Sequence, residues 1–130
     1  MTAGYSGTPL LQKLGIKDGS RVLVDGAPDG FDLGVPTSTR ATATYDVALL
    51  FAPDLKRLVK RWPVVHARVT PAGRLWVCWP KKASGVASDL DDNVVRGYGL
   101  AHGRVDVKVC AIDETWSGQA FVVRLADRPA

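Results

Sequence analysis

Short, unbroken apolar runs alternate along this chain with polar stretches rich in glycine and proline. Residues 21–25 (Arg-Val-Leu-Val-Asp), 45–51 (Tyr-Asp-Val-Ala-Leu-Leu-Phe) and 74–79 (Arg-Leu-Trp-Val-Cys-Trp) are too short for helices and show no strict two-residue alternation. Such runs predict strands buried on both faces. Residues 105–112 and 120–125 predict two more strands, joined by the loop Asp113-Glu114-Thr115-Trp116-Ser117-Gly118-Gln119. Leu55, Leu58 and Val59 place an apolar stripe on a helix that starts at Asp54 and breaks or kinks at Pro63, with residues 64–69 as a second short helix. Thr8 as N-cap, Pro9 as first helical residue and Gly15 as stop frame a short helix over residues 10–14. Ser88, Asp89, Asp91 and Asp92 open another helix, its acids facing the helix dipole, while Gly97 and Gly99 leave its end undefined. Residues 70–73 read as a turn, and residues 40–44, alternating Thr and Ala, as a short edge strand. The order predicts an α/β fold: a small, mostly parallel sheet with helices on both faces and a C-terminal antiparallel hairpin.

Composition narrows this to one folded domain over residues 1–130. The chain is 46% hydrophobic and 23% charged, as in folded soluble proteins. No apolar run approaches the roughly 20 residues that cross a bilayer. The N-terminus lacks the basic start and apolar stretch of a secretory signal, so a cytoplasmic protein without membrane contact is expected. Cys78 and Cys110 sit inside strand-like runs and read as buried thiols. With no Cys-x-x-Cys and no nearby histidine, no metal site is expected. His66 and His102 are isolated and read as structural.

The first strand leads into Gly26-Ala27-Pro28-Asp29-Gly30-Phe31-Asp32-Leu33-Gly34. A nucleotide-binding loop at this place carries G-x-G-x-x-G, which lets backbone amides approach the ligand and enter a helix. That spacing is absent. The chain reads as a Rossmann-like domain whose ligand loop has been rebuilt.

The net charge of +4 is unevenly spread. Lys56, Arg57, Lys60 and Arg61 form two i, i+4 pairs, which a helix gathers on its outer surface. Two readings stand: a solvated helix face, or a face for RNA or phosphate. In open parallel sheets ligands bind beyond the carboxyl ends of the strands. The loops expected there carry Asp25, Lys81, Lys82, Asp113, Glu114 and Trp116, a set suited to a charged planar ligand or a partner's side chain. The opposing reading is solvated charge and a covering indole.

Three segments resemble the class I S-adenosylmethionine-dependent methyltransferase family. Residues 45–51 look like its fourth strand, residues 69–77 like the turn and fifth strand, and residues 105–125 like the sixth and seventh. Residues 4–9, 79–85 and 113–118 are similar to the characteristic segments of an actinobacterial family of unknown function described as methyltransferase-like. That resemblance implies a fold and no reaction. Some ribose methyltransferases of the class I fold use a Lys-Asp-Lys-Glu tetrad, for which Lys13, Lys81 and Glu114 could stand. The aspartate has no counterpart, because Phe51 or Pro53 fills its region and Asp54 comes late. The expectation is therefore a non-catalytic binding protein on a degenerate methyltransferase-like domain, with a small molecule or protein partner at the carboxyl edge. S-adenosylmethionine is not expected to bind, since the loop is rebuilt and the interval between Asp25 and Tyr45 is too short to complete its pocket. The alternatives are a minimal methyltransferase, acting on RNA among other substrates, and an RNA-binding module using the helix at 54–61.

Overall fold

The computed structural model describes residues 9–129. The five strands are β1 (Val22–Asp25), β2 (Tyr45–Phe51), β3 (Val69–Pro80), β4 (Val105–Ala111) and β5 (Trp116–Val122), and they form one open sheet in the order β1-β2-β3-β5-β4. The helices are α1 (Leu10–Leu14), α2 (Leu55–His66) and α3 (Asp92–Ala101). No helix of the described residues is long and apolar enough to cross a membrane.

The α/β class is as the hydrophobic pattern predicts, but the sheet is mixed, not mostly parallel. The pairs β1–β2 and β2–β3 are parallel, while β3–β5 and β5–β4 are antiparallel. The cause is the tight turn at residues 112–115, which folds β5 back between β3 and β4 and makes both of its pairings antiparallel. Residues 116–119, expected in the loop, are strand: Trp116, Ser117, Gly118 and Gln119 pair with Pro80, Trp79, Cys78 and Val77.

Several boundaries also moved. Pro63 does not break α2, which runs on to His66. Pro63 and Val59 both lie on the exposed side, so the carbonyl freed by the missing N–H faces water and the cost is small. Residues 64–69 accordingly form no second helix, and β3 begins at Val69. The expected turn at residues 70–73 is a wide register shift, because Tyr45 pairs with Val69 but Val47 with Arg74. Residues 40–44 are not a strand. Pairing there falls instead on Ser38, a single parallel bridge to Leu23. Pro9 takes the N-cap position of α1. Thr8, and the segment at residues 4–9, lie outside the described residues except for Pro9.

The two faces of the sheet are covered unequally. On one, Leu58, Trp62 and Val65 of α2 and Val95 of α3 bury Leu23, Ala48, Leu50, Leu75, Val77 and Phe121. Trp62 centres this layer, with Tyr98 and Phe121 edge-on to it. The other face carries Val22, Val24, Val47, Leu49, Phe51, Trp76 and Cys78, under Leu14 of the short α1 and Phe31 and Leu33 of the loop after β1. Trp76 Nε1 donates to the Leu14 carbonyl at 3.0 Å and ties α1 down. Each fully buried large side chain contributes about 1.5–3 kcal/mol.

Candidate functional site

β1, β2 and β3 run in one direction, and β4 shares it, being antiparallel to β5. The loops after these four strands therefore open on one edge of the sheet, the arrangement the sequence suggested. The two loops beyond β3 and β4 are joined directly, with the Lys81 amide donating to the Thr115 carbonyl at 2.9 Å.

Asp25, at the end of β1, is 6% exposed. Arg61 Nε donates to one carboxylate oxygen at 2.8 Å and Arg57 Nη2 to the other at 3.2 Å. Arg57 Nε also donates to the Phe51 carbonyl at 2.9 Å. Two residues expected on an outward basic face thus turn to the sheet edge, and only Lys56 and Lys60 of that face are exposed. The cause is the buried carboxylate, which draws both guanidinium groups inward. Gly26 has φ +73°, and a Cβ there would overlap the Arg57 guanidinium. Arg57 therefore lies across the turn where a nucleotide-binding loop would present its backbone.

The acids along this edge are engaged locally. Asp54 accepts from the Arg57 amide and caps α2, while Asp89 accepts from the Leu55 amide. Asp91 caps α3 through the Val94 amide, and Asp92 accepts from the Asn93 amide. Asp113 accepts from the amides of Thr115 and Trp116, both at 2.8 Å. Among the described residues Lys56, Lys60, Lys81, Lys82 and Glu114 form no ion pair.

Lys81 and Lys82 line a cavity of about 360 Å³ with Trp79, Leu90, Val109 and Ser117, and Asp91, Asp92 and Asn93 at the start of α3 line it too, so its charges balance. Trp116 does not share it. Its ring packs edge-on against Phe51, centroids 5.1 Å apart, on the other face of the sheet. The small residue beside it is structural too, since a Cβ at Gly118 would lie 2.8 Å from Ile112 Cδ1. Asp25, the lysines and the Asp113-Glu114 turn share an edge but not a pocket. Lys13 is farther off, on α1, whose carbonyls accept from Arg74 and Trp76.

A second cavity, of about 410 Å³, lies along the rebuilt loop. It is lined by Gly26, Phe31, Leu33, Thr37 and Thr39, with Asp29 and Asp32 as its charged groups. No group of three or more His, Cys, Asp or Glu among the described residues could hold a metal ion. Cys78 and Cys110 both pair across from Gly118, on strands either side of it. Two strand spacings, about 9.6 Å, exceed the reach of a disulfide. Burial pushes both thiols up from their ordinary value.

Two polar residues have no counterpart in the sequence reading. Arg104, 2% exposed, donates to His66 Nδ1 at 2.8 Å and to the carbonyls of His66, Val69 and Gly73. It clamps the end of α2 to the shifted segment of β3. Burial lowers its pKa to about 10, and burial together with the Arg104 charge lowers that of His66. Gln119 is 3% exposed, and its Oε1 is buried without a hydrogen-bond partner. A lone arginine before a strand gives no signal, but a glutamine beside Ala120 and Phe121 in a buried run could have been noticed. No family model matches the chain, and no match to a curated protein was found.

Proposed function

We propose that this chain is a non-catalytic binding module on a degenerate methyltransferase-like frame, holding an anionic ligand or an acidic partner at the carboxyl edge of its sheet. The observation that carries the reading is electrostatic. Along that edge Asp25 is held by two arginines and Asp54, Asp89, Asp91 and Asp113 accept from backbone amides, whereas Lys81 and Lys82 have no ionic partner among the described residues. Unpaired lysines on loops can receive an anion without first breaking an internal pair.

The frame is supported by the strand order, in which four strands share one direction and only the last, inserted between β3 and β4, is reversed. The non-catalytic reading rests on Arg57 lying over Gly26. It rests also on the interval between β1 and β2, which adds one bridging residue, Ser38, in place of further helix and strand.

Nuclear magnetic resonance titration of the full chain with phosphate and acetate at constant ionic strength tests this. Amide shifts are expected at residues 25–27, 52–57, 79–85 and 112–117, and not at the opposite edge, residues 17–21 and 72–74. The double reversal Lys81→Glu/Lys82→Glu should reduce them. No response at the carboxyl edge, or low-micromolar binding of S-adenosylmethionine or its demethylated product by calorimetry, overturns the reading.

A further inference from the structure

The opposite edge of the sheet, where β1 to β4 begin and β5 ends, carries a charge pattern of its own. Lys17 and Arg21 precede β1, Arg68 precedes β3, Arg74 lies in the shifted part of β3, and Arg124 and Arg128 follow β5. The backbone draws these stretches together. The Tyr45 amide donates to the Arg68 carbonyl at 2.7 Å, and the Val123 amide to the Pro71 carbonyl at 3.0 Å. Lys17 and Arg74 line one cavity of about 390 Å³, with Asp46 as its other charged group. Buried Arg104 braces the rim from within, through its bonds to the Val69 and Gly73 carbonyls.

The acids of this rim are fewer than its cations. Asp18, Asp46 and Asp127 stand among the six, and Asp46 accepts from the Arg21 amide at 2.9 Å. Asp106, at the start of β4, is paired with Arg96. Among the described residues none of the six cations forms an ion pair. Arg74 and Arg128 donate to the carbonyls of Lys13 and Val123, neutral acceptors that leave the positive charge in place. Lys17, Arg21, Arg68 and Arg124 are exposed.

We propose that this rim binds the phosphate backbone of a double-stranded nucleic acid. From β1 to β5 it crosses three strand spacings, about 14 Å. A duplex carries one negative charge per about 1.7 Å of its axis, so it meets several of these cations at once. A lone phosphate or acetate meets one or two, with Asp46 beside them, and gains little. Five of the six cations are arginines, whose planar fork matches phosphate oxygens. No Trp, Tyr or Phe is exposed among the described residues, so the bases of a single strand find no platform to stack on. Leu125, 78% exposed between Arg124 and Arg128, is too little apolar surface to hold the chain on a lipid bilayer.

Fluorescence anisotropy of a labelled DNA duplex, and of an RNA duplex of the same sequence, titrated with the full chain tests this. Binding of at least one duplex is expected at about 50 mM salt, weakening about 40-fold by about 200 mM, the slope for three phosphate contacts. The tighter duplex assigns DNA or RNA. Amide shifts should fall at residues 17–21, 68–74 and 123–128, and not along the carboxyl edge. Arg21→Glu/Arg124→Glu should cost at least about tenfold in affinity, since each reversal replaces an attraction by a repulsion. Lys17→Glu/Arg68→Glu takes its place should that variant not fold. Lys56→Glu/Lys60→Glu, on the outer side of α2, should cost no more than about threefold. No duplex binding at about 50 mM salt overturns the proposal, as do equal losses for the two surfaces or affinity that the rim reversal leaves unchanged. Binding of phosphatidylserine vesicles in place of both duplexes overturns it in favour of a membrane. Anion binding at the carboxyl edge is read from other residues, so either result stands without the other.

Discussion

At Asp25 both carboxylate oxygens meet guanidinium groups, so replacing it leaves two cations facing each other beside a buried strand end. Removing one partner of a buried pair costs about 3–5 kcal/mol. The arginine side chains here are 32% and 25% exposed, and water offsets part of that loss. Asp25→Ala should therefore lower the urea-derived stability by about 2–3 kcal/mol. The pairing was hidden in the sequence for a definite reason. Asp25 stood out as a strand end, and Arg57 and Arg61 as an i, i+4 pair, but nothing local connects residues 32 and 36 positions apart. His66 shows a similar limit. Neutral imidazole accepts from Arg104, and its pKa lies below the ordinary 6.5 because of burial and the adjacent cation. A lowered pKa in the folded state means that its contribution is complete above pH about 6.5 and is lost as pH falls through the folded value. Urea midpoints at descending pH should fall faster for the wild type than for His66→Gln, whose amide oxygen can accept the same bond without titrating.

The elements that local pattern specified well are those whose caps and stripes agree. Asp54 caps α2 as expected, but of the expected stripe only Leu58 is fully buried and Val59 is 49% exposed, the buried face being completed by Trp62 and Val65. α3 starts at Asp92 under an Asp91 cap, later than the Ser88 start the pattern suggested. Where the reading slipped, tertiary contact decided. Residues 116–119 look like a loop, yet they pair along β3, because Gly118 leaves room for Ile112 and Trp76. The two α3 glycines that obscured its end play different parts. A Cβ at Gly99 would overlap the Phe121 ring, which is itself held edge-on against Trp62. Gly97 has open space around its Cα. Gly99→Ala should destabilise by about 1–3 kcal/mol through overpacking. Gly97→Ala should stabilise by up to about 1 kcal/mol through helix propensity. Thermal and urea denaturation of the two variants should give opposite signs. Equal signs would mean that α3 is not held against Phe121 in this way.

Across the whole molecule the sheet has one edge partly covered and one open. β1 is shielded by the Ser38 bridge, whereas no strand among the described residues pairs with the outer edge of β4, where Val107 is 50% and Val109 57% exposed. An exposed apolar strand with unpaired backbone groups is a template for association between chains. Two features of β4 oppose this. The register slips between Asp106 and Lys108, leaving Val107 as an extra residue that bends the strand. Lys108, between the two exposed valines, also places a charge on the edge. The +4 net charge adds a mild repulsion between copies, which salt screens. Lys108→Val removes that local charge and leaves the free edge with an unbroken valine run from Val107 to Val109. Because Lys108 is exposed, the substitution should change unfolding free energy by less than about 0.5 kcal/mol. Its effect should appear between molecules, as earlier elution and light-scattering mass that rise with concentration and salt. A Lys108→Val chain with the wild-type mass at every concentration would show that the bend at Val107 alone keeps the edge unpaired. Substituting the bulge would then be the change that releases association.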